Sequence, residues 1–429
     1  MSEYKYIHSA YILREGRTEA IYILINKDRI EKLSPLPLTV LPQDTQIIDA
    51  SGFLALPGVI DTHVHFRQPG AEYKATMRTE SSAALAGGVT TVLDMPNNTP
   101  QITTLEALEE KIQLAKKEMQ CNYGLFFGIT NDNIQEALSI PEEKICGYKL
   151  FLGSSTGNML VNNKESIEKL FRYSHLPISA HCEDEQIIST NLAKYKAMYA
   201  QGASAQLHPM IRSSQACIKS TKFAIKLAQK YSTHLNIAHL TTKEEVELFS
   251  GVDHSFLTCE VTPNHLYFTD EDYLHFGNLL KCNPAVKSKE DCLALRSGLK
   301  SGAIDIVASD HAPHLLSEKQ QPYFSAPSGI PSIQHTLQMM LDLVACGIFT
   351  IEEIEEKMCH RPAQVFHIKD RGYLKEGYFA DIVLVDTAKP YQVTKQNTLY
   401  KCGWSLLEGK TLSATIKATY LNGQEVFHQ

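Results

Sequence analysis

The stretch Leu56-Pro57-Gly58-Val59-Ile60-Asp61-Thr62-His63-Val64-His65 is a short apolar run that ends in polar residues. A run of this length between turn signals has the form of a buried strand. The following Phe66-Arg67-Gln68-Pro69-Gly70 carries the proline and glycine of a chain that turns away. Seven more runs share this form: 89–96, 123–129, 145–152, 177–181, 235–240, 256–261 and 304–309. Amphipathic stretches lie between them. One, 105–119, sets Leu105, Leu108, Ile112 and Ala115 on one helical face, and 220–230 is another. Eight buried strands alternating with helices predict an α/β fold, a (β/α)8 TIM-like barrel. An open doubly wound sheet has the same local pattern and stays as the alternative.

Outside this region the rhythm changes. Ala20-Ile21-Tyr22-Ile23-Leu24-Ile25 and Gln46-Ile47-Ile48-Asp49-Ala50 read as short strands, with Gly52, Pro57 and Gly58 closing the section. Strand-like runs return at Asp381-Ile382-Val383-Leu384-Val385 and 414–421. Residues 1–54 and 372–429 are therefore expected to form one small β-sandwich domain built from both chain ends, flanking a barrel over 55–371. No internal repeat or low-complexity tract is present.

The 429 residues are 43% hydrophobic, enough for one large core and a smaller one. A net charge of −7, without a basic block, argues against a nucleic-acid partner. No apolar run approaches the roughly 18–20 residues of a membrane span, and the first residues lack the apolar core of a signal peptide. The ten cysteines are scattered singly with no C-x-x-C pair, so they read as reduced thiols. The expectation is a cytoplasmic protein acting on a small molecule, with no nucleic-acid or membrane partner. A homodimer is the assembly kept in view.

In a barrel, chemistry gathers at the C-terminal ends of the strands. Residues two apart on a strand share a face, so His63 and His65 point the same way and can grip one cation. The plain alternative is a pair of hydrogen-bonded histidines. Asp61 shares that face and could orient a ligand histidine. The fourth run, Gly147-Tyr148-Lys149-Leu150-Phe151, places a lysine inside a buried strand, which is costly unless it is paired or modified. As an ammonium it cannot bind a metal; as a carbamate it could bridge two. The bland reading is a lysine snorkelling from the strand end. The fifth and sixth runs end in His181 and His239, and the eighth leads into Ser309-Asp310-His311. Alone, each would be a hydrogen-bonded histidine or a turn aspartate. Together they outline a two-metal site: His63 and His65 on one ion with Asp310, His181 and His239 on the other, and carbamylated Lys149 as the bridge. Two Zn²⁺ balanced by carbamate, Asp310 and hydroxide leave a residual positive charge that can stabilise an oxyanion.

Here the sequence resembles the amidohydrolase superfamily and, within it, the dihydroorotases, over nearly the whole chain. The resemblance is carried by Asp61-Thr62-His63-Val64-His65-Phe66-Arg67-Gln68-Pro69-Gly70, Asp94-Met95-Pro96-Asn97-Asn98-Thr99-Pro100, Lys281-Cys282-Asn283-Pro284, Ser309-Asp310-His311-Ala312-Pro313-His314, Ala326-Pro327-Ser328-Gly329-Ile330 and Lys401-Cys402-Gly403-Trp404-Ser405. It implies two zinc ions bridged by N6-carboxylated Lys149 and a hydroxide, with Asp310 as the catalytic proton carrier. It also implies that Arg67, Asn97 and His314 hold a substrate carboxylate, and that Asn283 with the Ser328-Gly329 backbone meets a pyrimidine ring. The implied reaction is the reversible cyclisation of N-carbamoyl-L-aspartate to L-dihydroorotate. Trp404, the only tryptophan, falls in a segment to which no catalytic role is attached.

Two features depart from the pattern of relatives, many of which bridge their metals with an aspartate after strand four. The stretch Gly153-Ser154-Ser155-Thr156-Gly157-Asn158 has no acidic residue, which favours Lys149 as the bridge, and Ser328 stands where relatives often carry phenylalanine. The rival readings are an allantoinase or hydantoinase-type ring opener with the same metals, and an inactive homologue serving as an assembly partner. The Ser, Gln, Lys and Pro-rich segment 315–326 is expected to be a mobile loop over the site. Residues 191–212, with His208 and Arg212, have no assigned chemistry.

Overall fold

The computed structural model describes residues 3–153, 159–199 and 202–429. Of the stretch read for an alternative metal bridge, residues 154–158 lie outside the described residues. Eight parallel strands follow one another in chain order: Val59–Val64, Val89–Asp94, Asn122–Gly128, Gly147–Phe151, Ile178–His181, Leu235–Ile237, Leu257–Val261 and Ile306–Val307. A parallel bridge between Val64 and His311, with the His65 amide donating to the His311 carbonyl, joins the eighth segment to the first. This closure selects the barrel over the open sheet.

The helices pack their apolar stripes on the outside of this cylinder. The predicted 105–119 stretch is a helix over Leu105–Glu118, begun by Thr104, whose side chain accepts from the Ala107 amide. The 220–230 stretch lies inside a longer helix, Ser214–Tyr231. Among the described residues, no helix is long and apolar enough to cross a membrane.

Both chain ends supply one β domain. Its strands Tyr4–Arg14, Arg17–Asn26, Arg29–Ser34, Gln46–Asp49, Leu54–Pro57, Ile382–Asp386, Thr415–Leu421 and Gln424–His428 form one eight-stranded hydrogen-bonded sheet. The run 56–65 is thus shared. Leu54–Pro57 pairs with Ile382–Asp386, and Val59–Val64 enters the barrel. Gly58 makes the joint, where a Cβ would fall 2.1 Å from Thr90 Oγ1. Residues 391–412 leave the sheet and pack against the barrel, and Trp404 is buried there.

Candidate metal centre and substrate pocket

The strand ends bring the predicted metal ligands to one buried place. His63 Nε2 and His65 Nε2 lie 3.4 and 3.2 Å from the same Asp310 oxygen, and the three ligand atoms fall within 4.8 Å of one another. His181 Nδ1 faces His239 Nε2 at 3.0 Å, and the His239 ring centre is 5.3 Å from that of His63. Burial pushes the pKa of His65 down to about 3 and lowers those of His181 and His239. These rings are neutral near pH 7 and keep a lone pair for a cation. Burial favours a protonated Asp310, but His63 and His65 outweigh it and hold the carboxyl well below the usual carboxylate range.

Lys149 fits a modified side chain better than an ammonium. Its Nζ is buried and makes no hydrogen bond among the described residues. Burial lowers its pKa to about 8, against the pull of Glu260 and Asp310. An unpaired buried ammonium is strongly disfavoured. A lysine with an accessible neutral form is the species that adds CO2.

Backbone geometry aims several of these groups. Arg67, His239 and Asp310 have φ of 65°, 41° and 46°. Such angles are uncommon outside glycine and concentrate at functional sites. The turn at Arg67 brings its Nη2 to 3.1 Å from His314 Nε2, while Nε donates to the Pro313 carbonyl. Lys74 Nζ lies 2.9 Å from His314 Nδ1, and His314 Nε2 lies 3.1 Å from the Ser328 carbonyl. Burial, with Arg67 and Lys74 alongside, depresses the His314 pKa far below its ordinary value. The ring is therefore neutral: Nδ1 accepts from Lys74 and Nε2–H donates to Ser328. The Arg67 Nη2–H groups then face an N–H and remain available to an anion. Lys74 is itself paired with Glu318 at 3.0 Å, so the charge left for an anion beside the histidine cluster is the Arg67 guanidinium.

Asn97 is half-buried on the loop after the second barrel strand. Lys111 fixes that loop from below, with Nζ 2.7 Å from Asp94 and donating to the Met95 carbonyl and Asn98 Oδ1. Asn283 Oδ1 accepts from His208 Nε2 at 3.2 Å. Gly329 has φ 143°, and a Cβ there would meet the Ala312 carbonyl oxygen at 2.4 Å. Its own N–H donates to Lys281 and its carbonyl accepts from Lys319, so both backbone groups are engaged within the loop. The segment 315–326, read as mobile, is tied at its base. Lys319 Nζ donates to the carbonyls of Lys281, Pro327 and Gly329, and Lys281 Nζ to those of Tyr323 and Ala326.

Sequence reasoning passed over several residues here. Asp61, read as an orienter of a histidine ring, instead accepts from the backbone amides of His63 and Ser309. The carboxylate against the His63 ring is Glu260 of the seventh strand, 2.5 Å from Nδ1. Glu183 lies 2.9 Å from His181 Nε2 and pairs with Arg212. Glu183 and Glu260 each carried a signal, a carboxylate two residues beyond His181 and a charge inside an apolar run. Lys74 carried none.

Residues 54–426 match the model of the amidohydrolase family. A dihydroorotase of Aquifex aeolicus is 33% identical over 417 residues, covering 94% of this chain and 94% of that protein. A dihydroorotase of Methanosarcina acetivorans is 32% identical over 400 residues, covering 90% and 84%. In fold, the chain superposes on the L-hydantoinase (dihydropyrimidinase) of Arthrobacter aurescens with a TM-score of 0.93 at 24% identity, covering 99% of this chain and 96% of that one.

Proposed function

Because the chain belongs to the amidohydrolase family, we propose that it is a dihydroorotase, interconverting N-carbamoyl-L-aspartate and L-dihydroorotate in de novo pyrimidine biosynthesis. The observation that carries this reading is the Arg67 guanidinium beside the histidine cluster. Arg67 is two residues beyond His65 and its guanidinium lies 3.1 Å from His314 Nε2. A planar guanidinium suits a carboxylate, and dihydroorotate carries one that hydantoins lack. The dihydroorotases at 32 and 33% identity support the same reading, whereas the hydantoinase likeness is one of fold.

The donor set suits two zinc ions: His63, His65 and Asp310 would hold one, His181 and His239 the other, and N6-carboxylated Lys149 would serve both. The paired nitrogens at 3.0 Å and the unpartnered Lys149 amine support that assignment. When bound, such ions polarise a carbonyl and lower the pKa of water toward about 7. The chain's own residues do the rest. Arg67 and Asn97 hold the substrate carboxylate, joined by His314 when its Nε2–H turns from the Ser328 carbonyl to the carboxylate, and so orient the ring amide over the strand ends. Asn283 and the Ser328-Gly329 turn wall the ring. Asp310 accepts a proton from the attacking water and passes it to the departing ring nitrogen. In the cyclising direction it takes the proton from the ureido nitrogen.

The test is ring opening of L-dihydroorotate by the zinc-loaded protein, run beside allantoin and dihydrouracil, with zinc counted per chain. Turnover of dihydroorotate alone is expected. Preference for allantoin or dihydrouracil would move the chain to the ring-opening rivals, and no turnover of any would favour the assembly partner.

A further inference from the structure

Behind the candidate ligands lie two buried carboxylates that no step above uses. Glu260 presents Oε1 to His63 Nδ1 at 2.5 Å, while its Oε2 accepts from Thr62 Oγ1 at 3.0 Å and Asn236 Nδ2 at 3.1 Å. Glu183 presents Oε2 to His181 Nε2 at 2.9 Å and to Arg212. In each pair the carboxylate meets the ring nitrogen that faces away from the other ligands. His63 Nε2 faces Asp310, and His181 Nδ1 faces His239. The arrangement is one carboxylate per half of the centre. His239 Nδ1, by contrast, makes no hydrogen bond among the described residues.

We propose that Glu260 and Glu183 are positioning residues for the two halves of the metal centre, fixing the tautomers of His63 and His181 so that His63 Nε2 and His181 Nδ1 carry their lone pairs inward. This rests on the binuclear reading above. A neutral imidazole has one N–H and one lone pair, and free in solution it exchanges between two tautomers. An ionised carboxylate can only accept. Glu260 therefore keeps an N–H on His63 Nδ1 and Glu183 keeps one on His181 Nε2, the opposite nitrogen, as their opposite ring orientations require, so that the inward nitrogens are the ones a metal would take. The two rings could not both face inward with the same tautomer. Arg212 gives the 191–212 segment its chemistry. Its guanidinium anchors Glu183, while the Nε2–H of His208, four residues earlier, is shared between the Cys282 carbonyl at 2.7 Å and Asn283 Oδ1 at 3.2 Å. One short stretch thus braces a metal ligand on one side and the pocket wall on the other.

The experiment compares the full-length wild type with Glu260→Gln and Glu183→Gln. Glu245→Gln serves as control, since Glu245 is a buried carboxylate bonded to Thr221 and Thr242 rather than to a histidine. Zinc affinity is read by chelator competition, and histidine tautomers by long-range ¹⁵N–¹H correlation on the zinc-free chain. Wild type is expected to show protonated Nδ1 on His63 and protonated Nε2 on His181. Each active-site glutamine variant should mix the tautomer of its own histidine and weaken zinc about 10–100-fold, with the control within about twofold. Unchanged tautomers and affinity in the variants would overturn the proposal. So would an equal loss in the control. If wild type holds fewer than two zinc ions, the binuclear reading fails, and the tautomer spectra still decide the proposal.

Discussion

The indole Nε1–H of Trp404 donates to the backbone carbonyl of His314 over 2.8 Å, linking residues 90 positions apart. The link gives the only tryptophan a place beside the pocket, in a segment whose sequence offered no chemistry. It holds the His314 backbone while Lys74 and Ser328 hold the ring. Trp404→Phe keeps the buried ring and leaves that carbonyl without this donor. The lost hydrogen bond is worth ~0.5–1.5 kcal/mol. Steady-state kinetics should show KM for dihydroorotate raised severalfold, with zinc content unchanged and kcat nearly so. An unchanged KM would disconnect Trp404 from the pocket.

The contrast with His63 and His65 shows what a sequence can reveal. Two histidines at strand period two point to one face whatever lies around them. Lys149 was legible for a related reason, as a charge inside a buried strand. Glu260 sits in the same kind of place, inside Leu257–Val261, yet the role of a lone carboxylate is set by the ring it meets across the barrel. Lys74 and Arg212 come from turns or a short helix, where no periodicity fixes direction. Pro57 and Gly58 mark a break, but 56–65 still reads as one run because the residues on both sides of it are buried. Their division between two sheets is decided by pairing with Ile382–Asp386, more than three hundred residues away.

Asp310 sits where it can both bind metal and move a proton. Asp310→Asn keeps the shape and removes the base. General acid–base groups contribute ~10²–10⁴-fold. Turnover should fall toward the upper end of that range in both ring opening and ring closure. Substantial residual activity in either direction would remove Asp310 from the proton transfer.

Lys149 should matter to metal rather than to folding. Lys149→Met keeps much of the volume and replaces an unpaired buried amine with an apolar thioether. The zinc-free variant should unfold at the same temperature as the zinc-free wild type, or higher, because an unsatisfied polar group is gone. The zinc-loaded variant should hold fewer than two ions per chain. Two tightly held ions in that variant would rule out a bridging carbamate.

Arg67 is expected to bind a part of the substrate that does not react. Arg67→Ala removes hydrogen bonds to a charged group, worth ~1.5–3 kcal/mol. An interaction equal in ground and transition states appears in KM. KM should therefore rise roughly ten- to hundredfold with kcat much less affected. A large fall in kcat at unchanged KM would place Arg67 with the reacting atoms instead.

Away from the site, His360 gives stability a pH dependence of definite sign. Its ring stacks on Tyr373 with centroids 4.2 Å apart, and its two nitrogens meet Glu356 at 2.9 Å and Glu355 at 3.3 Å. Burial lowers the pKa of this histidine, but the two glutamates outweigh it and raise it from 6.5 to about 9. Between those values the folded chain binds more protons than the unfolded one, so stability falls as pH rises. The contribution is full below about pH 6.5 and lost through pH 9. With partial solvent screening it amounts to about 1 kcal/mol. Urea unfolding of the zinc-loaded protein at pH 6 and pH 9.5 should show a larger drop for wild type than for His360→Gln. Equal drops in the two proteins would mean that His360 titrates alike in the folded and unfolded chain.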